Sequence, residues 1–382
     1  MSFRILVDEA VPLAETAFGP FGEVVRAPGR SIGPADVAGV DALVVRSVTR
    51  VDEALLAGSR VRFVGTATIG TDHVDTGWLE RRGIAFASAP GCNARSVAEW
   101  VVASLLELEA VRGESLEGRT LGIVGLGHVG SMVERLAPAI GLRVLRCDPP
   151  RARREGPAGW VDLDRLLAES DAVTLHVPLV ADGEHSTRRL LGEPGLARMA
   201  TGALLLNSSR GGVVDGAALL RAIASGAGPL VALDVWEREP EPDPELVARV
   251  ALGSPHVAGY STDGKVAGTR MIAQALARFA GREFDPSTVA LDGEPREIEV
   301  PGTGRPALRA AVAAAVPLRR DDADLRRAVA APAGERGRAF DALRRGYPER
   351  RVFGRFRVRG KDLSAADRRA LAALGFQVGP AA

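Results

Sequence analysis

Cysteine is nearly missing from this chain: Cys92 and Cys147 are the two it has among 382 residues. That excludes a disulfide-stapled secreted fold and points to a reduced, cytoplasmic setting. Lysine is as scarce, with Lys265 and Lys361 standing among 49 basic residues, so arginine carries nearly all the positive charge. With the richness in Ala and Gly, this reads as genome composition. A surplus of either charge is absent, the net being +1, which argues against a general nucleic-acid or membrane-surface binder. No apolar run approaches a membrane span. The N-terminus, MSFRILVDEA, places Asp8 and Glu9 where a signal peptide has its apolar stretch. No His, Cys and carboxylate grouping has metal-ligand spacing, so no bound metal is expected. What is present is ordinary for a globular protein, 46% hydrophobic and 25% charged, in a chain long enough for two or three domains.

Short apolar runs at 3–7, 42–45, 62–65 and 84–87 read as strands, with amphipathic segments between them such as 52–56 and 75–82. That alternation predicts a parallel sheet covered by helices on both faces. A long helix is predicted over 93–110, where Val97, Trp100, Val101, Ser104, Leu105 and Leu108 recur at three and four. A second alternating unit follows, with strands at 121–124, 142–147, 172–175, 203–206 and 230–233. Its helices are predicted at 129–140, 163–168, 196–199 and 217–224. Another long helix is predicted over 265–280, so the chain leaves one domain, builds a second and returns. Residues 285–306 read as a linker with a strand at 296–300. Helices at 306–316, 322–329, 336–345 and 364–374, with a strand at 352–358, suffice for a small α+β domain.

Three segments carry chemistry. Gly125-Leu126-Gly127-His128-Val129-Gly130 follows a strand and opens a helix, and the next strand ends at Asp148. In that context the glycines serve a tight turn, close approach of a pyrophosphate and helix–strand packing, while the helix N-terminus offers free N–H groups to phosphates. Asp148 suits the ribose hydroxyls of NAD and repels the 2′-phosphate of NADP, although Arg151, Arg153 and Arg154 pull the other way. After a later strand comes Asn207-Ser208-Ser209-Arg210-Gly211-Gly212, where the planar fork of Arg210 matches a substrate carboxylate. The segments from Asp234 to Pro240 and from Ser254 to Tyr260 supply Glu239 and His256. Hydride transfer from an alcohol needs a base for the hydroxyl proton; a histidine oriented by a glutamate meets that need.

These segments, in this order, make the chain resemble the D-isomer-specific 2-hydroxyacid dehydrogenases through GLGHVG, NSSRGGVVD, LDVWEREP and SPHVAGY. One branch of that family, acting on a phosphorylated four-carbon acid, is matched further by ILVDEAVP, VVRSVTRVDEALL, FVGTATIGTDHVD, APGCNARSVAEW, CDPPR, HVPLVADGEHST, HVAGYSTDGKVAGT and VPLRRDDADLRR. The resemblance implies an α/β protein of two Rossmann-like parallel-sheet domains plus a small C-terminal α+β dimerisation domain. The substrate (lid) domain would span 1–95 and 258–285, the NAD-binding domain 96–257, and the dimerisation domain 286–382. It implies NAD as cofactor and Arg210, Glu239 and His256 as the catalytic set. Cofactor contacts would come from Gly125, Gly127, His128, Val129, Gly130, Asp148, Val177, Ser208, Ser209, Asp234 and Gly259. Val177 stands where Thr is usual, which would leave a backbone contact only. Substrate contacts would come from Arg46, Ser47, Thr68 and Tyr260. The implied substrate is 4-phospho-D-erythronate, on the route to pyridoxine 5′-phosphate. A homodimer is expected because Leu308, Val312, Val316, Leu325, Val352 and Phe356 are few for an independent core, and a second copy would cover them. A sibling activity on phosphoglycerate or glyoxylate stays open, as does a non-catalytic NAD-sensing corepressor, whose sole support is the arginine-rich stretch 319–359.

Overall fold

The computed structural model describes residues 2–379. β1 (Phe3–Asp8), β2 (Gly22–Ala27), β3 (Ala42–Val45), β4 (Phe63–Thr66) and β5 (Ala85–Ala87) form one parallel sheet in the order β2-β1-β3-β4-β5. Every residue of β3 and β4 is buried, as a strand covered on both faces must be. One face packs on Ala14–Phe18 and the long helix Thr262–Ala280 through Phe18, Ile272 and Leu276. The other packs on Val37, Leu55, Trp78 and Leu79. Gly65 is required by this packing: a Cβ there would lie 2.4 Å from the Ile272 side chain. The chain enters at β1, moves to β2 on one side and to β3 on the other, so the order reverses between β1 and β3. Ligands of open parallel sheets bind beyond the strand ends at such a reversal.

The second sheet contains β6 (Thr120–Val124), β7 (Arg143–Cys147), β8 (Ala172–Leu175), β9 (Leu204–Asn207), β10 (Leu230–Leu233) and β11 (Leu252–Gly253), all parallel, in the order β11-β10-β9-β8-β6-β7. Its reversal lies between β6 and β8. The helix Ala94–Arg112 lies on one face and buries Trp100, Val101, Leu105 and Leu108.

A third parallel sheet, β12 (Arg296–Glu299), β13 (Phe356–Arg359) and β14 (Gln377–Val378), belongs to the C-terminal segment with helices Gly304–Ala315, Leu318–Val329, Arg336–Arg345 and Ala365–Leu374. Residues 352–358 do not form one strand. A helical turn at Phe353–Arg355 puts Phe353 in the core, stacked on Phe376 with ring centroids 4.4 Å apart, and pairing begins at Phe356. The expectation that this segment leaves apolar residues for a second copy to cover is corrected by the packing. Leu308, Val312, Val316 and Phe356 share a core with Val101, Leu105 and Leu116, and Leu325 and Phe340 share another with Leu233 and Trp236. Each such side chain contributes about 1.5–3 kcal/mol on burial, and its cover comes from the same chain.

The chain thus forms two compact units, Met1–Asn93 with Tyr260–Gly293, and Ala94–Gly259 with Glu294–Ala382. Among the described residues no helix is long and apolar enough to cross a membrane, and no group of three His, Cys, Asp or Glu could hold a metal.

Candidate active site

The glycine loop of the second unit leaves β6 at the sheet reversal. Gly125 has φ +86°, and a Cβ there would lie 2.7 Å from the His176 carbonyl oxygen. Gly130 packs tighter still, its virtual Cβ 2.0 Å from the Gly125 carbonyl oxygen. Gly127 differs: it precedes the helix His128–Leu136 and a Cβ on it would meet nothing within 4 Å. The backbone is therefore bare on the side where the N–H groups of His128 and Val129 open the helix, a cradle that fits a pyrophosphate. Asp148 follows β7 and accepts the amides of Leu126 (2.8 Å) and Arg151 (2.9 Å), which leaves lone pairs for ribose hydroxyls. Arg151 donates to the Leu126 carbonyl (2.6 Å), Ser131 Oγ (3.0 Å) and Glu155 (2.7 Å), and Arg153 is paired with Glu184. Arg154 donates to the Pro150 carbonyl at 3.4 Å, so the three guanidiniums that blurred the preference for NAD are engaged elsewhere. His176 is held neutral, burial pushing its pKa down to about 3, and the Val177 side chain lies against Gly125.

Two loops at the ends of β9 and β10 are built around side chains that bond backbone. Asn207 accepts the amide (3.0 Å) and hydroxyl (2.8 Å) of Ser209 and donates to the Arg210 carbonyl (3.0 Å). Ser208 Oγ is buried without a partner. Gly211 lets this loop rest on the next one, since a Cβ there would lie 2.0 Å from the Trp236 carbonyl. Asp234 is 1% exposed. Its carboxylate accepts Ser254 Oγ (2.5 Å) and the amides of Val257 (2.8 Å) and Ala258 (3.0 Å), and its carbonyl accepts the His256 amide (2.7 Å). Asp234, expected at the cofactor, is first of all the anchor of the histidine loop. That anchoring holds His256 at φ +58°, a left-handed conformation costing about 1 kcal/mol for a residue with a Cβ.

His256 Nδ1 and Glu239 Oε2 are 2.6 Å apart, and Glu239 Oε1 accepts the Trp236 amide at 2.9 Å. Burial alone would raise the Glu239 carboxyl. The His256 hydrogen bond and charge, the Trp236 amide and the Arg344 charge outweigh it, so the pKa lies below the ordinary value. With Nδ1 turned to the carboxylate, Nε2 is the histidine atom left to exchange a proton.

Sequence reasoning missed what the C-terminal segment does here. Arg350, with 2% of its side chain exposed, donates to the carbonyls of Ala258 (2.9 Å) and Ser96 (2.5 Å). Glu99 lies beside it at 4.0 Å, accepts Arg95 (2.7 Å) and the Phe353 amide (2.8 Å), and is pushed up to about 7 by burial against the opposing charges of Arg95 and Arg350. The helix Arg336–Arg345 packs on the glutamate loop, Gly337 facing Pro240 and Glu241. Nothing local marks Arg350 in a chain where arginine is everywhere.

The proposed substrate residues belong to the first unit. Arg46 and Ser47 follow β3. Thr68 follows β4, its hydroxyl 2.7 Å from that of Thr66, which is 3.0 Å from His73 Nε2. Tyr260 lies under the amine of Lys265, 5.3 Å from ring centroid to nitrogen.

Residues 93–258 match the family model "D-isomer specific 2-hydroxyacid dehydrogenase, NAD binding domain", and residues 297–375 match a domain of unknown function. An erythronate-4-phosphate dehydrogenase of Pseudomonas paraeruginosa is 48% identical over 362 residues, covering 93% of this chain and 94% of its own. That of Shigella flexneri is 45% identical over 382 residues, covering 98% of both. Among solved structures, the D-lactate dehydrogenase of Aquifex aeolicus complexed with NAD and lactic acid has a TM-score of 0.60 at 24% identity, covering 73% of this chain and 95% of its own. The TT0316 protein of Thermus thermophilus has a TM-score of 0.64 at 29% identity, covering 73% and 98%.

Proposed function

The chain belongs to the D-isomer-specific 2-hydroxyacid dehydrogenase family, on its erythronate-4-phosphate dehydrogenase branch, and from that premise we propose that it oxidises 4-phospho-D-erythronate at C2. The product is (R)-3-hydroxy-2-oxo-4-phosphooxybutanoate, an intermediate toward pyridoxine 5′-phosphate. The observation that carries the reading is the His256–Glu239 pair at 2.6 Å.

Bound NAD supplies the acceptor for the hydride leaving C2. Gly125, Gly127, Gly130 and the amides of His128 and Val129 hold its phosphates, and Asp148 its adenosine ribose. Val177, Ser208, Ser209, Asp234 and Gly259 complete the cofactor contacts, and the buried, unpartnered Ser208 hydroxyl fits such a role. His256 Nε2 takes the C2 hydroxyl proton as the C–H bond breaks, and Glu239 stabilises the imidazolium that results. Arg210 holds the carboxylate and polarises the developing carbonyl. Arg46, Ser47, Thr68 and Tyr260 are the proposed ligands of the rest of the substrate. The match along nearly the whole chain, tail included, favours this substrate over phosphoglycerate or glyoxylate.

A homodimer through residues 286–382 is part of the proposal. Its support is the outer edge of β12, which pairs on one side with β13 alone and offers unpaired backbone groups to a second copy. Light scattering of the full chain at the monomer mass would remove that part. The activity itself is tested by NADH formation from 4-phospho-D-erythronate. Turnover of 3-phosphoglycerate or glyoxylate with none of this acid overturns the assignment.

A further inference from the structure

Resting on that reading of the substrate, we propose that Lys265 and Arg46 together seat the distal phosphate, and that Lys265 sets the preference for a phosphorylated acid over its unphosphorylated counterpart.

The first observation is where the topology puts these residues. Arg46 is the first residue after β3, at the order reversal of the first sheet, where a ligand of such a sheet binds. Lys265 lies in the first turn of the helix Thr262–Ala280. That turn is drawn down onto the sheet end by two close approaches: Gly268 meets the Ala67 carbonyl, 2.8 Å from its virtual Cβ, and Gly264 meets Asn93 at 3.1 Å. Ala67 stands between Thr66 and Thr68, so helix start, threonines and Arg46 converge within one unit.

The second observation is charge without an answer. Among the described residues neither Lys265 nor Arg46 is paired with a carboxylate, in a protein whose arginines mostly are. Arg46 Nη1 is buried with no hydrogen-bond partner. Lys265 holds its amine 5.3 Å above the Tyr260 ring. Burial, and then the charge of Arg46, depress the Lys265 pKa, which places the two cations in each other's field. Desolvated like charges with an orphaned donor are costly, and a dianion answers both costs.

The third observation is the residue type. Lys265 is one of two lysines among 49 basic residues, so this position keeps an ammonium where composition favours a guanidinium. A compact ammonium on a flexible stem turns three donors toward a tetrahedral anion as a point charge, whereas a guanidinium presents a fixed planar fork. A lysine kept merely to cover Tyr260 would be replaceable by an uncharged chain of equal length.

The experiment compares 4-phospho-D-erythronate with D-erythronate on NAD-loaded wild type, Lys265→Met and Lys265→Arg. Lys265→Met is expected to lower kcat/KM for the phosphorylated acid roughly 10- to 100-fold, mostly through KM, the usual size of a lost charge-assisted contact. Its loss on D-erythronate is expected to be at least several-fold smaller, and Lys265→Arg should recover part of the discrimination. Equal losses on both acids overturn the proposal and leave Lys265 a packing residue. Calorimetry with inorganic phosphate tests the site independently of turnover. Wild type should bind it more tightly than Lys265→Met, and equal binding overturns the proposal whichever acid proves to be turned over. A wild type that binds phosphate through Lys265 but does not oxidise 4-phospho-D-erythronate would sink the substrate reading alone.

Discussion

His256 and Glu239 meet at 2.6 Å on a loop that a second carboxylate, Asp234, pins on both sides of the histidine, through the Ser254 hydroxyl before it and the Val257 and Ala258 amides after it. His256→Asn keeps that backbone but has no proton to exchange. Its kcat is expected to fall by roughly two to four powers of ten with NAD affinity retained. Glu239→Gln should cost less and should move the acid limb of the rate profile to lower pH, because an imidazolium without a charged partner gives up its proton more readily. Near-normal turnover by His256→Asn would remove the histidine from its role.

In the proposed site, Asp148 is the residue that sets cofactor choice. Asp148→Ala removes the charge that opposes a 2′-phosphate, so NAD should weaken and NADP improve relative to it. The same change deletes the acceptor for the Leu126 and Arg151 amides, so NAD should weaken by more than a ribose contact alone accounts for. Fluorescence titration of both nucleotides measures this. A wild type that already prefers NADP would mean that Arg151 leaves the Leu126 carbonyl and Ser131 to reach the ribose.

What could be read from the sequence followed from how local each signal is. β3, β4, β8 and β9 are short apolar runs buried on both faces, so composition alone marked them. β2 went unseen because it is an edge strand, half exposed and mixed in polarity, and β11 and β14 because two residues make no pattern. The glycine loop was legible because its spacing between a strand and a helix is itself the signal, Gly125 and Gly130 answering steric demands and Gly127 leaving the backbone bare. Arg210, Glu239 and His256 could be proposed from the sequence because the chemistry assigned to them calls for those residue types in loops after strands. Asp234 as anchor and Arg350 as tether were not legible, since each acts through contacts with chain far away in sequence.

That tether yields a prediction. Arg350 joins the Ala258 and Ser96 carbonyls, so its loss leaves two buried acceptors unanswered and takes one of two opposing charges from beside the buried Glu99. Arg350→Met is expected to destabilise the chain by about 3–5 kcal/mol, the usual cost of breaking a buried charge cluster from one side. At temperatures where it stays folded, its kcat should drop several-fold with little change in NAD affinity, because the loop carrying His256 loses a support. Arg350→Met paired with Glu99→Gln should recover part of the stability. Thermal melts and steady-state kinetics on wild type, Arg350→Met, Glu99→Gln and the double variant check this, and a double variant no more stable than Arg350→Met counts against the pairing.

Asp367 gives the protein an acid-sensitive clasp. Burial would raise its carboxyl, but the hydroxyls of Thr303 (2.6 Å) and Ser364 (2.7 Å) and the amides of Gly304 (3.0 Å) and Ser364 (2.9 Å) donate to it and bring its pKa down to about 2. It thereby fastens the start of the helix Gly304–Ala315 to the start of the helix Ala365–Leu374. The unfolded chain binds the proton near 3.8, its ordinary value. Stability from this group is therefore fully present above that pH and is lost as pH falls through about 2, since the unfolded state then takes up the proton first. Allowing for solvent screening, the contribution is roughly 1–2 kcal/mol. Asp367→Asn should melt lower than wild type near neutral pH, and the gap should narrow as both are acidified toward pH 2. Melting both proteins across that range is the measurement, and a gap independent of pH would show that the clasp works by shape and not by charge.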